Sequence, residues 1–297
     1  MSPCLKCVWQ SDGLAVYSSA VALLNASIVD IEGKCLVVDS MLRPVDARCL
    51  ATLVKDHGRK PDFIFNTHGH SDHCFGNRII PQSHTQIIAH KSYRQTLQRE
   101  RNMFKPSLDI SSEKHSVPEA QLLFEQGAVF RKGQWELDTS PCAADNSIII
   151  HAPGHSPDMS YLYLPQQDLL FAGDNILNSD SDVVALPYIF WGDAPAMINS
   201  LQMILDLGVK TIIPGHGLPV GRDKVANDLC YMQNLKRATE KVFDSITETD
   251  LERLMDILKS EVPVSETYPE IKKRKIWVPQ VHELNLRRLA LNHLGWE

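Results

Sequence analysis

Short apolar runs bounded by Gly, Pro and acidic residues recur along most of the chain, and they set its framework before any single side chain is weighed. Residues 14–31 are largely apolar, but Asn25 and Asp30 interrupt them, and Glu32-Gly33 turns the chain into Cys35-Leu36-Val37-Val38-Asp39. Such a pattern predicts strands that open with a hairpin. Strands are expected here in preference to a membrane span or secretory leader, because no basic cluster precedes these residues and no small-residue cleavage site is followed by a plausible mature start. Residues 44–57 form a helix by pattern, with Val45, Cys49 and Leu53 on one face and Gly58 as the stop. Phe63-Ile64-Phe65, Gln86-Ile87-Ile88-Ala89, Ile148-Ile149-Ile150 and Thr211-Ile212-Ile213 are short enough and apolar enough for buried strands, and residues 91–103 for a helix. Tyr161-Leu162-Tyr163-Leu164 and Leu169-Leu170-Phe171 flank Pro165-Gln166-Gln167-Asp168, which predicts another hairpin. A further helix begins near Ala194.

Beyond Val220 the pattern becomes helical. Val225, Leu229 and Met232 mark one helix, and Thr249 with Glu252 gives a capping-box signature for a second that carries Leu251, Leu254 and Leu258. A third spans 279–294, with Gly295 past its end. With no repeat and no low-complexity segment, the expected organisation is a domain over 1–220 and a helical extension over 221–297 packed on it.

The chemistry gathers where the apolar runs end. Phe63-Ile64-Phe65 leads into Asn66-Thr67-His68-Gly69-His70-Ser71-Asp72-His73, which places four metal-capable side chains within six residues. They cannot all ligate one ion comfortably, but a loop can turn two to one metal and two to its neighbour, so a dinuclear centre is expected. Three later strand ends supply further donors: Pro153-Gly154-His155, Gly173-Asp174 and Pro214-Gly215-His216. The adjoining Gly and Pro let the backbone turn sharply and approach an ion. His84 and His90 fall outside these motifs and are read as ordinary structural or surface residues, His151 is read as a strand-end residue, and His115 belongs to the 105–118 insertion, either a surface loop or a segment overhanging the site.

In type and order, His68, His70, Asp72, His73, His155, Asp174 and His216 match the seven-ligand signature of the metallo-β-lactamase superfamily, which the chain resembles over residues 14–218. The resemblance implies an α/β fold, a four-layer αββα sandwich with a C-terminal helical extension. It implies that His68, His70 and His155 hold one metal, that Asp72, His73 and His216 hold the other, and that Asp174 bridges them. Asp72 and Asp174 are then the catalytic carboxylates. An Asp at position 174 looks like the glyoxalase II and RNase Z type of site, not the lactamase type with Cys there. The implied cofactors are two zinc ions, although iron or manganese would accept the same N and O donors. The implied reaction uses a metal-bridging hydroxide on a small ester, thioester, lactone or related carbonyl compound. Two alternatives keep similar ligands: an iron-dependent sulfur dioxygenase holding one iron through two His and an Asp, and a phosphodiesterase or RNA-processing nuclease. The oxygen-reducing diiron branch has Glu where His70 stands here.

Composition narrows the partners. A net charge of -6 over 297 residues argues against nucleic acid as a partner. Seven scattered Cys suit a reducing, cytoplasmic compartment, and Cys4-Leu5-Lys6-Cys7 is a lone pair read as a frayed terminus. The expected partner is a small molecule, with no membrane contact; a homo-oligomer is compatible. Residues 175–193 include Tyr188, Phe190 and Trp191, the candidate substrate-binding side chains. Leu177 stands where similar lactonases carry Tyr, and Ser179-Asp180-Ser181-Asp182 where the glutathione-thioester branch is basic and aromatic. Residues 105–118 read as an insertion, and Lys272-Lys273-Arg274-Lys275 as a solvated charge run.

Overall fold

Two sheets face one another in the computed structural model, which describes residues 5–104, 117–139, 146–180, 183–268, 275–278 and 280–296. The first contains β1 (Leu5–Ser11), β2 (Leu14–Ser19), β3 (Asn25–Ile31), β4 (Lys34–Val38), β5 (Phe63–Phe65), β6 (Gln86–His90) and β7 (Leu122–Phe124), in that spatial order. The second contains β8 (Gly127–Arg131), β9 (Gln134–Asp138), β10 (Ile148–His151), β11 (Ser160–Leu164), β12 (Leu169–Leu177) and β13 (Thr211–His216), ordered β13-β12-β11-β10-β8-β9. β4 to β7 run parallel through helical or loop crossovers, and the β12–β13 pair is parallel around α4 (Ala194–Leu207).

Alternation along the strands divides the core into layers. Leu36 and Val38 of β4, Phe63 and Phe65 of β5, and Phe171 and Ile213 of the second sheet point between the sheets. Their neighbours Val37 and Ile64 point outward under α1 (Pro44–Asp56), while Leu170, Ala172 and Ile212 point outward under α4 and α5 (Arg222–Ser245). Each fully buried Leu, Ile, Val or Phe is stabilised by about 1.5–3 kcal/mol relative to exposure, and the central strands contribute such side chains on both faces. The outer layer on the second sheet continues into α6 (Leu251–Glu261) and α8 (Val281–Leu294), with Leu254, Leu258, Leu286 and Leu289 in the same cluster as Leu201 and Ile204 of α4.

Several local expectations change. Leu5–Ser11 is a strand paired with β2, not a frayed end; Cys4 lies outside the described residues. The face that α1 buries is Ala47, Leu50 and Val54, and Val45 is 46% exposed. The helix is rotated because Asp46 turns inward to accept from Ser19 Oγ (2.8 Å) and Arg43. The cap of α6 is Asp250, whose carboxylate accepts from Arg253 N at 3.0 Å, one residue after the expected Thr249. The β8–β9 hairpin was not expected; its signal is Lys132-Gly133, both with positive φ. Most of the 105–118 insertion, with His115, and Ser181, Asp182, Lys272, Lys273 and Arg274 lie outside the described residues. Among those described, no helix is long and apolar enough to cross a membrane.

His90 and His151 stack with ring centroids 4.0 Å apart, and His90 Nε2 donates to the Glu125 carbonyl. Burial, reinforced by the neighbouring His151, holds His90 down from 6.5 to about 4. The folded chain then binds fewer protons than the unfolded chain, so this contribution is complete above pH 6.5 and is lost as pH falls through about 4. His90→Gln is expected to show a smaller fall in urea midpoint across that window than the parent; an equal fall would show that His90 is not a source of the acid sensitivity.

Candidate metal centre

Seven candidate donors converge at one edge of the sandwich, after β5 and β10, at the end of β13, and, in the case of Asp174, inside β12 and not at its end as expected. His68 and His70 lie on the loop after β5, and Asp72 and His73 on α2 (Ser71–Cys74), a single turn that begins at that loop. His155 follows β10, Asp174 stands within β12 beside a register shift, and His216 closes β13. The glycine neighbours matter through space. A Cβ at Gly215 would lie 1.9 Å from Asp174 Oδ1, so only glycine admits the carboxylate at this point.

Two donor groups result, His68, His70, His155 and Asp174 in one and Asp72, His73 and His216 in the other, with the ligand atoms of each group within 4.8 Å of one another. His70 Nδ1 is 2.9 Å from His68 Nε2 and 3.0 Å from His155 Nε2. Asp174 Oδ2 lies 3.9 Å from His68 Nε2, 3.6 Å from His155 Nε2 and 3.6 Å from His216 Nε2, so one carboxylate faces both groups. His216 Nε2 is 3.4 Å from Asp72 Oδ2, and His73 Nε2 is 3.2 Å from Asp174 Oδ1. Donors bound at about 2.0–2.1 Å to one tetrahedral ion stand about 3.3 Å apart, and these separations bracket that value. His73 Nε2 and Asp174 Oδ1 are buried without a hydrogen-bond partner among the described residues, which for buried polar atoms calls for an ion or water. The residues therefore fit a metal pair.

The far sides of the rings are fixed by groups that local sequence did not single out. His155 Nδ1 donates to the Tyr188 carbonyl (2.7 Å) and His216 Nδ1 to the Ala22 carbonyl (2.8 Å), leaving each Nε2 lone pair for a cation. His73 Nδ1 is 2.8 Å from Asp39 Oδ2, and the same Asp39 accepts from Thr67 N and Oγ1 at 2.9 Å. Asp158, fully buried, accepts from Gly69 N, Thr96 Oγ1 and Ser156 Oγ, each at 2.7 Å, and so shapes the His loop. Asn175 Oδ1 accepts from His155 N at 2.8 Å. An acid after a strand, as at Asp39, carries no local mark of this role; only the contact across the fold shows it.

Charge agrees with geometry. Burial drives His68 well below its usual value, with His73 and His70 adding to the fall, and takes His70 to about 3. At His216 burial acts downward too, but Asp174 and Asp72 more than offset it and raise the ring to about 10. Burial acts to raise Asp174, yet His73 and His216 hold it well below the carboxylate range. The pocket thus keeps anions and draws protons onto two of its rings, the expected behaviour of a site built for positive charge.

A cavity of about 480 Å³ opens beside the donors, and Tyr188 and Phe190 line it. Trp191 is placed differently: its ring lies 5.0 Å from that of His70, with the Arg99 guanidinium over it at 5.3 Å, so it braces a candidate ligand. Burial raises the Tyr188 hydroxyl to about 12. Leu177 also lines the cavity. The unexpected wall is C-terminal, formed by Trp277, Val278, Val281 and Leu284. Asn285 of α8 accepts from Ile189 N (2.8 Å) and donates to the Pro187 carbonyl (2.9 Å), while Arg288 Nε donates to the Phe190 carbonyl (3.0 Å). The extension therefore holds the aromatic loop in place.

The family model described as the metallo-beta-lactamase superfamily matches residues 23–216. The chain is 23% identical over 236 residues to a hydroxyacylglutathione hydrolase of Pelagibacter ubique, covering 78% of this chain and 83% of that one. It is 26% identical over 155 residues to an atrochrysone carboxyl ACP thioesterase of Aspergillus chevalieri, covering 50% of this chain and 47% of the relative. Among solved structures, it is similar to a metallo-beta-lactamase from Erythrobacter litoralis, with TM-score 0.61, 15% identity and coverage of 78% and 98%. It is also similar to a double mutant of the sec-alkyl sulfatase PisA1, with TM-score 0.68, 16% identity and coverage of 96% and 50%. Two sheets with outer helices, a His/Asp cluster at their edge and a family match over the ligand-bearing residues lead to one conclusion: the chain belongs to the metallo-beta-lactamase superfamily and is a metal-dependent hydrolase.

Proposed function

We propose that the chain is a dinuclear zinc hydrolase of a small ester, thioester, lactone or related carbonyl compound. The observation that carries this reading is Asp174, whose carboxylate lies within 3.9 Å of ring nitrogens from both donor groups. Two divalent ions held there would supply a lowered water pKa near neutrality and polarisation of the substrate carbonyl. His68, His70 and His155 hold the first position, Asp72, His73 and His216 the second, and Asp174 sets their spacing. Asp72, the more open carboxylate with a 28% exposed side chain, lines the cavity, where the oxygen it does not give to the second position would orient water by accepting a hydrogen bond. The relatives named as a hydroxyacylglutathione hydrolase and an ACP thioesterase support acyl compounds as the substrate class.

A net charge of -6 supports a small molecule over nucleic acid as partner, and no disulfide joins the described cysteines, which supports a cytoplasmic setting. The deciding measurement is metal analysis of protein purified without added metal, followed by a panel of esters, thioesters and lactones with the ions found. Two zinc ions per chain, about 3.5–4 Å apart by anomalous scattering, with hydrolytic turnover are expected. One iron with sulfur-dependent oxygen uptake would overturn the proposal.

A further inference from the structure

The cavity has a chemical gradient. At one end stand His70, Asp72, His155, Asp174 and His216; the rest of the wall is mainly apolar, with Leu177, Phe190, Trp277, Val278, Val281 and Leu284. Besides the metal donors, the polar side chains lining it are Ser71, Glu100 and Tyr188, and two of these are turned to one another: Ser71 N and Oγ donate to Glu100 at 2.6 and 3.0 Å. Val278 and Leu284 are each 38% exposed although they sit on this wall. The wall is also held in place. Trp277 N donates to the Val184 carbonyl and Val184 N to the Lys275 carbonyl, while Asn285 and Arg288 tie α8 to the aromatic loop.

Resting on the acyl-hydrolase reading, we infer that the substrate carries an extended, uncharged hydrocarbon acyl chain. Its carbonyl lies at the donors and its tail runs along Trp277, Val278, Val281 and Leu284. A charged or hydroxylated tail would exchange water for a wall that offers it few hydrogen bonds, whereas a hydrocarbon tail covers the side chains that are now partly exposed. A wall fixed in advance binds such a tail without first being ordered.

The test compares S-butanoyl and S-decanoyl thioesters of N-acetylcysteamine on the zinc-loaded full chain. Each buried methylene is worth about three- to fourfold in kcat/KM, so decanoyl should exceed butanoyl by at least about thirtyfold. In the double variant Val278→Gln/Leu284→Gln, both positions being partly exposed and so tolerant of change, that ratio should fall at least about fivefold. Leu137→Gln, at a 58% exposed position on β9 remote from the cavity, should keep the parental ratio. Turnover without chain-length preference would overturn the inference while leaving the hydrolase reading in place, and would mean that another part of the chain covers the wall. If no thioester is cleaved, calorimetric binding of decanoate and butanoate decides the matter separately. Tighter decanoate binding that weakens in the double variant supports the tail site, and equal binding of the two acids rejects it.

Discussion

Asp174→Asn is expected to lose both turnover and zinc, by roughly 100-fold or more in kcat/KM, since losing even an outer partner of a metal ligand costs about 10–100-fold. The substitution keeps shape and volume but removes the negative charge that lies between the two donor groups. It also brings an amide N–H toward His73 Nε2, 3.2 Å from Oδ1, or toward His68, His155 and His216, which surround Oδ2. Two cations would then be balanced chiefly by Asp72, with Asp39 acting through His73. Zinc per chain after dialysis, measured by mass spectrometry alongside kinetics, should fall below two. A variant with full stoichiometry and parental rates would show that Asp174 does not bridge.

Asn285→Leu is expected to reach the metal from the far end of the chain. Asn285 is fully buried on α8 and satisfies Ile189 N–H, the Pro187 carbonyl and the Tyr231 hydroxyl. Leucine would leave backbone groups on both sides of Tyr188 unpaired in the core. At about 1–3 kcal/mol for each of these two groups, the loss of stability should be about 2–6 kcal/mol. Tyr188 supplies the carbonyl that orients His155, so zinc affinity should also fall by about 10–100-fold. Urea unfolding of the zinc-free protein and a zinc titration of the folded protein separate the two effects. A lower midpoint with unchanged zinc affinity would make the extension a scaffold only.

Local pattern made the strands legible because both sheets are covered on two faces, so central strands are nearly continuous apolar runs flanked by turn residues. It was less reliable where two readings were equally periodic. On α1 the stripe Val45, Cys49 and Leu53 competes with Ala47, Leu50 and Val54, and Asp46 decides between them by pairing with Ser19 and Arg43. At α6, Thr249 and Asp250 both suit a cap, and the carboxylate takes it. β8 and β9 are short, β8 is nearly all buried and β9 largely exposed or half-buried, so neither shows a clear apolar alternation and the turn Lys132-Gly133 is the better signal.

By itself the sequence determined which side chains could serve as donors: His68, His70, Asp72, His73, His155, Asp174 and His216 are recognisable because ligand type is a property of the side chain and each follows an apolar run. It also determined that these strand ends belong to one α/β sandwich. Only the tertiary structure decided which groups aim the rings, that Tyr188 and Phe190 face the cavity while Trp191 braces His70, and that α8 together with Trp277 and Val278 before it forms the cavity's other wall. Asp39 lies 34 residues from His73, and Asn285 lies 96 residues from Ile189. Contacts over such separations are set by the packing of layers, and neither periodicity nor spacing along the chain records them.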